Sequence, residues 1–383
     1  MTTYLSGNEI TERESLLATM AVLSVAECPL IRSLPHIGLD SRLTEFTADE
    51  PFYDADNVRS PGNPHQNTRL EGAAFVEDTA RYPLRLRAIA EINHFGKKIS
   101  NSDRVAMMAG VTDPYNYRAH QLYVKLLNNV ENVTMYGTGS PEVHGGGDEL
   151  RKAMGLIFGC AWTGLERVHG SGATDSIDDP MGVKIPKEFW STFFDANGTS
   201  LSRKMLYEKI LANANRAGTH IPGILFHVGA KLKVQVADIG ITPAGEPVNQ
   251  RNVDASGLMT YDDIDWIRTP LGIIGFRTNR YLDIEGSTFA VGGDAAPPSP
   301  STQIRLPMGG GFTSPASYTA RTFQADETMI GWMPGYVAMG WYRAPHYQQI
   351  SHDGDFTRVM ACAEYTPIVR HPKGLLGGGN LLG

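Results

Sequence analysis

The sequence predicts an α+β protein built on one long helix set among extended and irregular segments. Three observations predict it. A helical pattern with start and stop signals runs from Asp113 to Gly137. Period-two alternation, the mark of a strand with one polar face, runs from Leu84 to Ile92. Gly (41) and Pro (23) together make one sixth of the 383 residues, so loops are long or numerous.

The long helix is the best specified element. Thr112-Asp113 supplies a cap and Pro114 fits the first helical position, where its missing N–H costs nothing. Ala119, Leu122, Tyr123, Leu126, Leu127, Val130 and Val133 then recur at three- and four-residue steps. Gly137 and Gly139 end the pattern. The helix reads as a structural spine; the same periodicity also fits an ordinary core helix.

Taken in order, residues 1–8 read as a loose tail and Glu9–Val25 as an amphipathic helix broken by Cys28-Pro29. Leu30–Leu34 is a short apolar segment. Arg42–Phe52 reads as a strand, Asp56–Thr68 as a loop and Leu84–Ile92 as a strand. Two strands joined by a long polar stretch suggest a protruding arm, and an isolated ribbon of that kind needs something to rest on. Beyond the spine, helices are expected at Asp148–Trp162 and at Ser200–Ala217, the latter capped by Ser200. His169–Pro186 reads as loop and Ile224–Val228 as a strand. Ala230–Val236 fits either helix or strand. Leu271–Phe276 and Arg280–Ile284 are strand-like. Gly292–Ser317 is an exposed excursion, Met329–Arg343 is buried strand, Phe356–Val369 suits a strand pair, and Gly374–Gly383 is a glycine-rich tail.

Bulk composition narrows the function. The 42% hydrophobic content suits a sizeable core. No apolar run reaches membrane-spanning length and no signal peptide opens the chain, so a cytosol-like compartment is expected. Cys28, Cys160 and Cys362 are few, odd in number and far apart, which argues against disulfides and zinc and for buried thiols. Net charge is −7, so no general affinity for nucleic acid follows. Residues 1–60 hold ten acids against four arginines, and no lysine precedes Lys97.

Catalytic motifs are wanting. The sequence has no phosphate loop, dinucleotide fingerprint, CxxC pair or HExxH. His144-Gly145-Gly146-Gly147 resembles the oxyanion glycines of some esterases, but the GxSxG turn that fold requires does not occur. Asp175, Asp178 and Asp179 lack calcium-loop spacing, and nothing at metal spacing joins His144, Asp148 and Glu149. No catalytic, cofactor-binding or metal-ligating residue is therefore assigned.

Several collinear stretches resemble the major capsid (major head) proteins of tailed bacteriophages. Near the start these are Val25-Ala26-Glu27-Cys28-Pro29-Leu30-Ile31, then Glu45-Phe46-Thr47-Ala48-Asp49 and Leu70-Glu71-Gly72-Ala73. Asn93, Ser100, Glu131 late in the spine helix and Arg151-Lys152-Ala153-Met154-Gly155 follow. The second half adds Leu206–Gly218 with Ile221–Val228, and Leu271-Gly272 through Asn279-Arg280-Tyr281-Leu282-Asp283. Gly354-Asp355, Glu364-Tyr365-Thr366 and His371-Pro372-Lys373-Gly374 are the most specific.

The resemblance implies the capsid fold that tailed phages share with encapsulins. Its parts would be an N-terminal arm (1–40), an extended β-loop (41–95), a peripheral domain with the spine helix at 113–136 (96–150), an axial domain with an insertion at 292–317 (151–345), and return strands with a C-terminal tail (346–383). It implies a shell subunit, not an enzyme. Copies would form pentamers and hexamers, then an icosahedral head around double-stranded DNA touched only loosely at the inner surface. Cofactors are absent from this reading; it leaves room for separate scaffold, portal and decoration proteins. The location would be the virion, with assembly in the host cytoplasm. The expected assembly residues are Glu45, Asp49, Glu50, Arg81, Arg85 and Arg87, acids and arginines meeting between subunits. With no lysine on the loop, no covalent cross-link from its tip is expected. An encapsulin-like nanocompartment shell and a soluble hydrolase using His144 or His169 are the alternatives.

Overall fold

The computed structural model describes residues 3–4, 28–48, 84–100, 102, 114–140, 151–164, 176–178, 184–186, 189–202, 204–209, 223–239, 266–269, 272–283, 288–291, 321–354 and 356–382. The expected helix at Glu9–Val25 and the excursion at Gly292–Ser317 lie outside them.

The spine forms as the sequence requires. Helix α2 (Pro114–Tyr136) follows the short α1 (Pro29–Ser33) and spans 23 residues, about 35 Å at 1.5 Å per residue. Ala119, Leu122, Leu126 and Val130 are buried along one stripe, while Leu127 and Val133 pack at its margin. Each fully buried leucine contributes about 1.5–3 kcal/mol relative to exposure.

The stripe lies on a five-stranded sheet in the order β1-β5-β18-β17-β2. These strands are β1 (Thr3–Tyr4), β2 (His36–Gly38), β5 (Glu91–Ser100), β17 (Val337–Asp353) and β18 (Phe356–Val369). The centre is antiparallel; the short β1 and β2 add parallel to its edges. Thr3-Tyr4, expected as loose tail, thus pairs with Lys98-Ile99. Phe356–Val369 is one strand rather than a pair, because β5 and β17 flank it along most of its length.

Strands β3 (Leu43–Ala48) and β4 (Leu84–Ile89) make a two-stranded ribbon, as the alternation predicts. At the far end of the spine, β6 (Thr138–Ser140) pairs with β7 (Lys152–Met154). The helix expected from Asp148 is therefore shorter: α3 covers Leu156–Gly164. Its start is fixed by two glycines in backbone contact. Gly155 donates to the Gly137 carbonyl at 2.7 Å, and a Cβ on either would meet the other segment's backbone. Ser176–Asp178 (β8) and Lys184–Pro186 (β9) pair inside the stretch expected as loop.

A second, six-stranded sheet runs β10-β19-β16-β11-β13-β12. Its strands are β10 (Thr192–Ser200), β11 (Ile224–Val228), β12 (Trp266–Thr269), β13 (Gly272–Thr278), β16 (Met329–Trp332) and β19 (Leu375–Leu382). Phe226 and Phe276 stack across β11 and β13 with centroids 5.6 Å apart. Ser200 ends β10, so it does not cap the next helix, α4 (204–209). Ser202 does, its Oγ accepting from Met205 N at 3.1 Å. Helix α5 (Ala230–Ile239) resolves the ambiguity after β11. Strands β14 (Thr288–Val291) and β15 (Arg321–Gln324) form a small separate pair. Arg280–Leu282, expected as strand, is a 3₁₀ turn because Asn279 Oδ1 accepts from Tyr281 N at 2.9 Å.

The glycine-rich C-terminal run is not a tail. As β19 it sits between β10 and β16. Its glycines are there for space: a Cβ on Gly377 would lie 2.7 Å from the Phe193 ring, and one on Gly378 or Gly379 would overlap Phe194 or Phe323. Three aromatic side chains rest on bare backbone. The boundary expected at 345–346 falls inside the unbroken β17. The chain crosses directly from one sheet to the other at 333–336 and at 370–374, and these crossings bond to each other: Met333 N to Gly374 O at 2.9 Å, Arg370 N to Tyr336 O at 2.8 Å.

Candidate assembly interface

The β3–β4 ribbon carries the described part of the expected interface. Register sets Phe46 opposite Leu86 and Ala48 opposite Leu84, so one face is apolar and packs on the core. The other face sets Glu45 opposite Arg87, with Arg85 on the diagonal. Arg87 Nε donates to Glu45 Oε1 at 2.8 Å, and Arg85 Nη1 lies 3.5 Å from Oε2. One carboxylate thus holds both arginines within the chain. Asp49, Glu50 and Arg81 lie outside the described residues, as do His144, Asp148, Glu149, His169, Asp175 and Asp179. Among the described residues, no three His, Cys, Asp or Glu side chains come together to hold a metal. The three cysteines are buried free thiols, and burial pushes Cys160 up to about 12 and Cys28 to about 11.

Two buried carboxylates, both within stretches that carry the family resemblance, fix the ribbon and the arm. Glu364 on β18 is 1% exposed. Arg343 pairs with it across the sheet, Arg151 Nη2 lies 3.5 Å away just before β7, and Arg42 Nε lies 3.9 Å away just before β3. Glu364 so ties the base of the ribbon to the sheet.

Glu131 is fully buried on α2. Its Oε1 accepts from Leu30 N at 2.7 Å and from Asn279 Nδ2 at 2.9 Å; Oε2 accepts from Ile31 N at 3.0 Å. It therefore caps α1 and grips the turn after β13. Burial raises its pKa, opposed by those three hydrogen bonds and by Arg280. Tyr136, at the helix end, donates to Tyr281 O at 2.9 Å.

His227 on β11 makes a second link. It is buried, stacks on Trp332 at 5.1 Å, and sets Nε2 3.1 Å from Ser33 Oγ of α1. Burial drives its pKa down to about 3, so it is neutral. The spine, the arm and both sheets meet in this region.

Where the spine ends, a cavity of about 480 Å³ opens, lined by Arg42, Glu91, Asn93, Asn132, Arg151 and Lys152 among others. Burial raises the Glu91 pKa, and its Oε2 accepts from Ala153 N at 2.9 Å.

The family model of the SU10 major capsid protein matches residues 1–377. The chain belongs to that family. This capsid protein also shares its fold with solved shells. It resembles the capsid of Cyanophage A-1(L) with a TM-score of 0.58 at 9% identity, covering 97% of each chain. It resembles the capsid of a native GTA particle with a TM-score of 0.55 at 9% identity, covering 97% of this chain and 96% of that one. No curated protein sequence matches it. The α+β capsid fold and, through the family, a capsid-shell role are thereby established for this capsid protein; at identities this low the solved structures speak to fold alone.

Proposed function

We propose that this capsid protein is the major head protein of a tailed bacteriophage. Copies join as pentamers and hexamers and close into an icosahedral shell around the DNA genome. The observation that carries the reading is the family match, which runs unbroken through arm, ribbon, spine and both sheets. Residues 1–40 then form the N-terminal arm and 41–95 the extended β-loop, with β3 and β4 as its described strands. Residues 96–150 form the peripheral domain on the spine. The axial domain begins at 151 and runs to the crossing at 333–336; β17 and β18 return to the periphery before β19 completes the axial sheet. The net charge of −7 suits a wall that touches packaged DNA loosely. The protein's place is the virion, after assembly in the host cytoplasm, with scaffold, portal and decoration functions supplied by separate chains.

The extended loop rests on a neighbouring subunit, with Glu45, Asp49, Glu50, Arg81, Arg85 and Arg87 as its contact charges. The in-chain grip of Glu45 on Arg85 and Arg87 leaves one positive charge in surplus on that face, available to an acid of the next copy. The test is electron microscopy of the purified chain, alone and with its phage's scaffold. Closed shells, tubes or capsomer rings support the reading. A protein that stays monomeric under both conditions overturns it.

A further inference from the structure

We infer that His227 is an acid-opened catch between the arm and the second sheet: a proton arriving at its Nδ1 parts the end of α1, with β2, from β11. The inference goes beyond the shell reading and is tested on the free subunit, so the two stand or fall separately.

Distances fix where the hydrogens are. Ser33 Oγ lies 2.7 Å from the Leu30 carbonyl oxygen, a separation two oxygens reach only with a hydrogen between them. The carbonyl brings none, so the serine hydroxyl donates there. His227 Nε2, 3.1 Å from the same Oγ, is therefore the donor of that pair. A neutral imidazole carries one ring hydrogen, so Nδ1 is left as a bare lone pair. His227 is fully buried, and its Nδ1 has no hydrogen-bond partner among the described residues.

A second proton enters only at Nδ1, where it makes a charged ring and a buried N–H without an acceptor. The described surroundings offer no relief. Arg277 of β13 stands beside His227 in register and is itself a cation. Ile330 and Trp332 of β16 bring no acceptor, and the indole stacks on the imidazole at 5.1 Å. From α1 come the Ser33 hydroxyl, already paired with Nε2, and the exposed cation Arg32. Burial first, and Arg277 second, push the ring's pKa down to about 3.

The part that gives way is the end of α1. Glu131 fastens its start, accepting from Leu30 N and Ile31 N. Burial raises the Glu131 pKa, so the folded chain binds that proton more readily than the unfolded one, and acid does not loosen this grip. Beyond Ile31 the holds are light. Ser33 meets His227, Met339 N donates to Pro35 O at 2.8 Å, and β2 pairs for three residues with β17 at the edge of its sheet. Short edge segments of this kind open locally at little cost. Once open, the ring takes its proton at the ordinary value of 6.5. The open fraction therefore rises about tenfold for each pH unit below 6.5, until about pH 3. Opening frees β2 and uncovers the β17 edge from Met339 to Trp341.

The experiment is hydrogen exchange of the full-length, unassembled subunit, read by mass spectrometry, with each rate divided by the intrinsic rate at that pH. Protection over residues 32–39 should fall about tenfold from pH 6 to pH 5, while the spine over 119–130 keeps its own. His227→Gln keeps an amide donor for Ser33 but cannot titrate, and its protection should be flat. His36 also lies in this segment, its Nε2 2.9 Å from Ile31 O, so His36→Gln serves as control and should retain the fall. Protection that is flat in the unaltered subunit overturns the inference, as does an equal fall in His227→Gln or a fall abolished by His36→Gln. Should His227→Gln fail to fold, nitrogen NMR of the histidine-labelled, unaltered subunit decides. A neutral His227 ring at pH 6 with its hydrogen on Nε2 supports the catch. A hydrogen on Nδ1, or a charged ring at that pH, overturns it.

Discussion

Replacing Glu131 by alanine tests the joint between arm, spine and second sheet. The carboxylate accepts three hydrogen bonds at 2.7, 2.9 and 3.0 Å, two from the first turn of α1 and one from Asn279. All the groups are buried, so no water replaces the lost acceptor. An orphaned buried donor costs about 1–3 kcal/mol, and three would total several. Relief from burying a charge offsets part of this, since burial already raises the Glu131 pKa. Loss of a hydrogen-bonded buried charge in such a network costs about 3–5 kcal/mol, which is the expected net effect. Glu131→Gln keeps one carbonyl acceptor and should lose roughly half as much. The assay is urea unfolding of the unassembled subunit, with limited proteolysis at 28–35 as a local probe. Faster cleavage there should accompany the lower midpoint, because Asn279 and α1 lose a common anchor. A Glu131→Ala subunit within 1 kcal/mol of the unaltered one, equally resistant to protease, would refute the account.

Three further outcomes follow from the geometry. Gly378→Ala should lower stability by about 1–3 kcal/mol, because the new Cβ must displace Phe194; Gly38→Ala, with nothing within 4 Å, should be near neutral, and thermal melts compare them. His227 has a folded pKa of about 3, below the ordinary 6.5, so below pH 6.5 the unfolded chain binds the extra proton. Its contribution is full above pH 6.5 and falls toward pH 3 by up to about 1.4 kcal/mol per unit. His227→Phe should flatten the unfolding profile across that window, and an unchanged slope would refute it. Charge reversal of Arg85 and Arg87 to glutamate should weaken assembly, measured by sedimentation, while circular dichroism of the subunit stays unchanged.

What the residues disclosed, and what they hid, has a physical pattern. The spine was legible because cap, proline, apolar stripe and glycine stop all agree locally. The ribbon was legible because strand alternation is a short-range signal. Strand β19 was not: its glycines carry no periodicity, and their reason lies in Phe193, Phe194 and Phe323, at least 52 residues away. Ser200 and Ser202 are equally good caps by type, and only the reach of β10 chooses between them. Arg280–Leu282 has strand-like residues but obeys the side chain of Asn279. The charged ribbon face was foreseen by residue type, whereas its pairing within one chain depends on register. Glu131 and Glu364 stand in stretches that carry the family resemblance, but their burial was hidden, because Leu30, Ile31 and Asn279 lie 100 residues or more from Glu131 and Arg42 and Arg151 lie still farther from Glu364.

The place of β19 also sets a timetable. Residues 375–382 are the last of the described strands to leave the ribosome, yet among those strands they alone pair with β10, made some 180 residues earlier. Until they emerge, β10 stands apart from the other four strands of its sheet, and Phe193, Phe194 and Phe323 have no backbone to cover. The spine and its sheet wait similarly on β17 and β18. A nascent subunit therefore cannot present a finished surface to its neighbours, and association is deferred until synthesis of this region is over. For a capsid-shell protein, vectorial delay of this kind keeps half-made chains from associating.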